Sequence, residues 1–169
     1  MKDNFFAHVT KSPVYNDDRG FFAPTELTDR WVQVNISYNI APYTFRGVHY
    51  QLKNTAQAKL VKVLKGSIID FIVDIRPGSS RFGRMEDYRV NAGEEILVKA
   101  GYGHAFLTLE PDTIVQYMVD KPYNPETDRN WLWSSHPHLK SAVEYHSNFG
   151  EIVISDKDAN APKFLDADL

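Results

Sequence analysis

"AKLVKVLKGSIIDFIVDI", residues 58–75, decides the fold class. Branched aliphatic residues dominate it, and such side chains suit a pleated, half-buried surface. Two strands meeting at Lys65-Gly66 are predicted, with the glycine supporting a tight hairpin. In the second of them Ile68, Asp70, Ile72 and Asp74 share one face, and Ile69, Phe71, Val73 and Ile75 the other. An acidic residue on a strand ordinarily faces solvent, so Asp70 and Asp74 are expected on a wet face.

Period two continues on both sides of this stretch. "RWVQVNISYNI" (30–40), "RMEDYRV" (84–90), "EEILVKA" (94–100), "GYGHAFLTLE" (101–110) and "TIVQYMVD" (113–120) read as further strands, with a turn at "NAG" (91–93). Short strands at this regular spacing predict an all-β sandwich or barrel. Helical periodicity is weak. A short helix is expected near "NPETDRNWL" (124–132) and another at the C-terminal end, whose last few residues should fray.

The 169 residues suit one domain spanning the chain, and 43% hydrophobic with 13% aromatic residues is enough for a substantial core. A net charge of −3 without a long basic run speaks against nucleic acid as a partner. There are no cysteines, which excludes disulfides, zinc–thiolate sites and cysteine nucleophiles. No apolar run approaches a membrane span, and "MKDNFFAHVTKSP" is too polar for a signal peptide, so a cytoplasmic protein is expected. Phosphate loops, dinucleotide fingerprints and G-x-S-x-G elbows are missing, leaving NTPase, dehydrogenase and hydrolase readings without support.

"FRGVHYQ" (45–51) places a histidine in an apolar strand. Alternation puts Phe45, Gly47, His49 and Gln51 on one face and Arg46, Val48 and Tyr50 on the other. His49 is either a core histidine satisfied by one hydrogen bond or a general base titrating near neutral pH. Gly47 favours the second reading by leaving room beside it for a ligand or another backbone. Arg46 and Lys59 supply the positive charge an anionic ligand needs. On regular alternation Arg46 points away from His49, so a shared substrate requires a twist or bulge, or a site across a dimer. His104, in "AGYGHAF", follows a glycine-rich turn. A metal site with His49 is the alternative there, but the H-x-H pattern of metal-binding cupins is missing. His136, His138 and His146 are expected at the surface. Tyr117 is half-buried packing or a proton donor across a cavity. Tyr123 is a turn aromatic beside prolines, and Asp158 a turn or helix-starting residue.

Five motifs in order, "FRGVHYQ", "AKLVKVLKGSIIDFIVDIRPGSSRFGR", "GYGHAFLTL", "QYMVDKPYNPE" and "ISDKD", resemble the dTDP-4-dehydrorhamnose 3,5-epimerase family over about residues 18 to 162. The resemblance implies a cupin-like jelly-roll β-sandwich with a few short helices. It also implies a homodimer with exchanged strands, and activity without metal or organic cofactor. The partner it implies is a nucleotide-diphosphate sugar. The family's catalytic histidine falls on His49, its carboxylate partner on Asp158, its proton-donating tyrosine on Tyr117 and the lysine of its "KLV" motif on Lys59. The strand aspartate and second histidine fall on Asp70 and His104, and a second site tyrosine on Tyr123. Gln51 joins the substrate-binding set beside His49. Arg46 and Arg19 match arginines associated with the diphosphate, Gln33 and Asn35 polar nucleotide contacts, and Phe22 an aromatic by the base.

Two places depart from the family pattern. Where a glutamate near the base is usual, this chain has Pro24, with Glu26 two residues on. The usual "LGI-x-W" segment before the aspartate reads "LKSAVEY". The implied reaction is epimerisation at C3, C5 or both of a 4-keto-6-deoxy sugar, with dTDP-4-dehydro-6-deoxy-D-glucose giving dTDP-4-dehydro-L-rhamnose. Alternatives are a mono-epimerase, a CDP- or GDP-linked substrate, a non-catalytic cupin, and a metal-dependent one.

Overall fold

The computed structural model describes residues 6–11, 15–17, 20–22 and 29–169. Arg19, Pro24 and Glu26 lie outside this set, and Phe22 is described only as part of a strand. The early strands are β1 (Val9–Lys11), β2 (Tyr15–Asp17), β3 (Gly20–Phe22), β4 (Gln33–Asn39) and β5 (Phe45–Gln51). The central ones are β6 (Lys59–Lys65), β7 (Ser67–Asp74), β8 (Met85–Asn91) and β9 (Glu94–Val98). β10 (Tyr102–Thr108), β11 (Thr113–Val119) and β12 (Asp128–Asn130) complete the set, followed by helices α1 (Pro137–His146) and α2 (Asp156–Ala159).

Two five-stranded antiparallel sheets face each other, in the orders β1-β9-β6-β11-β4 and β12-β5-β10-β7-β8. A small β2–β3 ribbon stands apart in the pairing. The all-β sandwich expected from the strand pattern is the fold observed, in the cupin-like jelly-roll form that the family resemblance implies.

The Lys65-Gly66 junction is not a hairpin. β6 belongs to the first sheet and β7 to the second, and they do not pair. Gly66 (φ +80°) is the corner at which the chain changes layer, and a Cβ there would fall 2.3 Å from Thr113 Oγ1. A hairpin and a sheet-changing corner need the same glycine, so local sequence does not separate them.

β7 is buried along its whole length. Ile68 and Ile72 face Val61, Val63, Ile96, Val98 and Val115 between the sheets. Ile69, Phe71 and Val73 face a second core on the outside of the same sheet, formed with Trp131, Leu139, Val143 and Phe164. Fully burying such side chains contributes about 1.5–3 kcal/mol each. The split into two faces follows the alternation, but the wet environment expected for Asp70 and Asp74 is wrong. Both are fully buried. They share the Ile68 and Ile72 face, which the first sheet covers, and each carboxylate has its own partner: His104 for Asp70, Arg76 and Ser79 for Asp74.

The helix expected over 124–132 is instead strand β12, paired antiparallel with β5. Trp131 follows it into the outer core, fully buried, and that tertiary anchor overrides a weak local preference. The helix α1 falls in the segment read as polar surface. His136 is its N-cap, accepting from the Leu139 N–H at 3.2 Å, and Pro137 is its first residue. His136 is only 3% exposed, not a surface residue. The C-terminal residues, expected to fray, make tertiary contacts: the Asp168 carbonyl accepts from the Tyr50 hydroxyl at 2.6 Å, and Leu169 packs on the outer core.

Candidate active site

β5 does not alternate regularly. At Gly47 (φ +136°, followed by a cis peptide bond) the pairing with β10 slips by one: His49 lies opposite His104, yet Arg46 lies opposite Phe106. Three steps along β5 therefore match two along β10. This bulge turns Phe45, Val48 and Tyr50 into the outer core and leaves Arg46 and His49 on the same cavity. Gly47 is needed because a Cβ there would sit 2.4 Å from Ala105 Cβ. The two-face partition expected for 45–51 is thus corrected, and Arg46 reaches the site within one subunit.

Three adjoining cavities of about 440, 260 and 360 Å³ all include His49 in their walls. Arg46, Lys59, His104 and Tyr117 join it in the second; Gln33, Asn35, Lys59, Tyr117 and Tyr123 in the third. Asp158 and Lys157 line the first. The two sheets contribute different chemistry. His49 and His104 come from β5 and β10 of one, Lys59 and Tyr117 from β6 and β11 of the other.

His49 Nε2 lies 2.7 Å from Asp158 Oδ1, with the His49 side chain 36% and the Asp158 side chain 5% exposed. A carboxylate can only accept, so Nε2 carries the proton and Nδ1 is the lone-pair nitrogen. Burial pushes the Asp158 pKa up. Its bond to His49 and the donors of Asn130 (3.2 Å) and the Gly47 N–H (3.4 Å) outweigh this and hold it below the usual carboxylate range. Asp158 lies in the first turn of α2, where its N–H donates to the hydroxyl of the N-cap Ser155 at 3.3 Å.

A second histidine–carboxylate pair stands beside the first. His104 Nε2 meets Asp70 Oδ2 at 2.7 Å. His104 pairs with Ile72, so Asp70, two residues away on β7, is its diagonal neighbour. Asp70 lies behind the cavity wall and its Oδ1 has no hydrogen-bond partner among the described residues. Lys59 has a pKa lowered to about 8 by burial, opposed by the charges of Asp70 and Asp128. Burial raises the Tyr117 pKa above its ordinary value; Arg46 opposes this and Asp128 adds to it. At neutral pH Lys59 is therefore cationic and Tyr117 a phenol.

Around this centre Arg46 Nε donates to Asn39 Oδ1 at 2.7 Å. Gln33 donates to Asn35 at 2.8 Å and accepts from the Tyr123 N–H at 3.1 Å. The Tyr123 hydroxyl reaches Asp128 at 3.3 Å. Gln51 does not line these cavities. Its amide accepts from the Asn124 N–H at 2.7 Å and donates to the Thr55 carbonyl at 2.8 Å, holding the loop that carries Tyr123. Sequence reading missed Asp128, Asn130 and Lys157. The first two were hidden by expecting a helix there, and Lys157 stood one residue from a residue that was found.

A model of the family described as dTDP-4-dehydrorhamnose 3,5-epimerase matches residues 7–166. The chain belongs to the dTDP-4-dehydrorhamnose 3,5-epimerase family. It is an enzyme of that type. The Sinorhizobium fredii dTDP-4-dehydrorhamnose 3,5-epimerase is 32% identical over 164 residues, covering 90% of this chain and 82% of that one. The crystal structure of the Bacillus anthracis epimerase with TDP and pyrophosphate bound is similar at a TM-score of 0.81 and 35% identity, covering 94% of both chains. A 3′-monoepimerase from Streptomyces bikiniensis in complex with dTDP-quinovose is similar at 0.80 and 28% identity, covering 94% of this chain and 83% of that one. No helix among the described residues is long and apolar enough to cross a membrane.

Proposed function

We propose that the protein epimerises a nucleotide-linked 4-keto-6-deoxy sugar without metal or organic cofactor, with dTDP-4-dehydro-6-deoxy-D-glucose as substrate and dTDP-4-dehydro-L-rhamnose as product. The observation that carries this reading is the His49–Asp158 pair facing Lys59 and Tyr117 across one cavity. Protons on C3 and C5 are acidic because removing one gives an enolate conjugated with the C4 carbonyl. His49 Nδ1 takes the proton and becomes an imidazolium stabilised by Asp158. The Lys59 ammonium stabilises the enolate oxygen. Tyr117, coming from the other sheet, gives its phenolic proton to the opposite face of the same carbon. The centre is inverted, and solvent resets both groups. The ketone supplies the acidity that a metal or cofactor would otherwise provide.

Arg46 on this surface, and Arg19 by family resemblance, suit the diphosphate, since planar guanidinium groups bind oxyanions well. Gln33 and Asn35 suit the nucleoside and Phe22 its base. His104 and Asp70 orient the sugar beside Lys59. The likeness to a 3′-monoepimerase supports, as a second reading, inversion at C3 alone.

The protein acts as a homodimer in the cytoplasm. Among the described residues β4 is an edge strand; its Val34, Ile36 and Tyr38, with Val32 and Ile40 just beyond its ends, are all about half exposed or more. Such an apolar stripe on an open edge calls for cover. Ile36 and Tyr38 also line the cavity, so a second copy seated there would wall the site.

The test is turnover, in heavy water and followed by NMR, of 4-keto-6-deoxy sugars carried on dTDP, CDP and GDP. Deuterium at C3 and C5 with the L-rhamno product is expected from the dTDP sugar. No exchange with any of them sinks the epimerase reading.

A further inference from the structure

Asp158 is the third residue of a helix of only four, too short to hold its own orientation. What fixes it comes from β12. Alternate residues of this strand, Asp128 and Asn130, share a face and grip consecutive residues of α2. Asp128 Oδ2 accepts from Lys157 Nζ at 2.8 Å. Asn130 Nδ2 donates to Asp158 Oδ1 at 3.2 Å and to the Lys157 carbonyl at 3.3 Å. Both acceptors lack protons, so the amide must present its NH₂ to them. Asn130 is also the direct cross-strand partner of His49. Neighbouring strands thus send the imidazole and the amide to the same carboxylate oxygen.

We infer that Asn130 is a positioning residue: it pins Asp158 beside His49 and, by sharing the same oxygen, tempers how strongly the carboxylate holds the imidazolium. This rests on the reading of His49 as the base. An uncharged donor is what that place needs. An apolar residue would free both the carboxylate and the turn that carries it. A second carboxylate would hold the proton on His49 and spoil it as a base at neutral pH. Among the described residues, the other charged or titratable groups facing His49 are Arg46 on its own strand, Tyr38 of β4, Lys59 of β6, His104 of β10, Tyr117 of β11, and Asp128 and Lys157 beyond Asp158. Tyr123, at the rim, is engaged with Asp128. Asn130 is the group that meets Asp158 on the oxygen His49 uses.

The experiment is an NMR titration of the His49 imidazole in wild type, Asn130→Asp and Asn130→Ala, beside the pH profile of turnover. In Asn130→Asp the His49 pKa and the acid limb of kcat/KM should both rise by about one unit, the size expected of an added neighbouring carboxylate. In Asn130→Ala kcat should fall about tenfold with KM within about twofold, as for a misplaced base. An unmoved His49 titration in Asn130→Asp, or unchanged kcat in Asn130→Ala, overturns the assignment. Should Asn130→Asp fail to fold, the titration of Asn130→Ala decides alone: a His49 pKa moved by more than about 0.3 in either direction supports it, and an unmoved one refutes it. The titration needs no substrate. If the wild type turns over none of the sugars, the proposed function fails while the role of Asn130 is still decided.

Discussion

His49 on β5 and Tyr117 on β11 face each other from opposite sheets across one cavity. In the proposed reaction a sandwich open between its layers would place a base and an acid on opposite sides of the sugar ring, the minimum geometry for inverting a carbon.

Separating the two half-reactions tests this directly. Tyr117→Phe removes the proposed acid and leaves the proposed base. Inversion should fall by about 10²–10⁴-fold, the usual worth of a positioned proton donor. Exchange of the sugar α-proton with heavy water should persist with retained configuration, because the enolate is re-protonated from the His49 side. Loss of exchange together with inversion would show that Tyr117 is required before the enolate forms.

The His49–Asp158 pair should behave as a unit. Asp158→Asn presents an amide that can bond Nε2 in the wrong tautomer, placing the proton on Nδ1. A loss of about 10³–10⁴-fold in kcat is expected from Asp158→Asn, and a similar one from His49→Ala. Affinity for dTDP, measured by calorimetry, should change little in either variant, since Arg46, Gln33 and Asn35 are untouched. Additive losses in the double variant would contradict a shared role.

Lys59 sets an alkaline limit. Its pKa is lowered to about 8 by burial, so the ammonium proposed to stabilise the enolate is lost as pH rises through that value. The kcat/KM profile should fall on its basic side near there. Lys59→Arg should remove that limb, because guanidinium stays charged throughout the range, although with lower activity from altered reach. A basic limb that survives this change belongs to another group.

Strand alternation made the sandwich legible, and it correctly divided β7 between Ile68 and Ile72 on one core and Ile69, Phe71 and Val73 on the other. It failed where a side chain's environment is decided by distant chain. Gly66 reads as a hairpin because a corner uses the same backbone. Asp70 reads as wet because nothing local announces His104. Arg46 and His49 read as opposed because a bulge is a property of the pair β5–β10, not of either strand alone. The candidate site residues came from ordered motifs. Asn130 had no motif to announce it, and its place beside Asp158 appears only once β12 is paired with β5.

His136 gives the outer helix an acid-sensitive cap. Its Nδ1 accepts from the Leu139 N–H, and its Nε2 lies 2.8 Å from the Gly83 carbonyl, which requires the proton on Nε2. The neutral ring satisfies both; a protonated ring would set N–H against N–H at the cap. Burial accordingly lowers the His136 pKa below 6.5, opposed by the Gly83 carbonyl and assisted by His138. The unfolded chain binds this proton more readily, so the stabilisation is fully present above about pH 6.5 and is lost as pH falls through the lowered folded value. In that window stability should decline with a slope approaching about 1.4 kcal/mol per pH unit from this group. His136→Asn keeps a side-chain oxygen at the cap but does not titrate. It should be less stable than wild type by about 1–3 kcal/mol near pH 7.5, since the Gly83 carbonyl loses its donor. Its urea unfolding should then change less between about pH 7.5 and pH 5 than that of wild type. An equal pH dependence in the two proteins would place the acid sensitivity elsewhere.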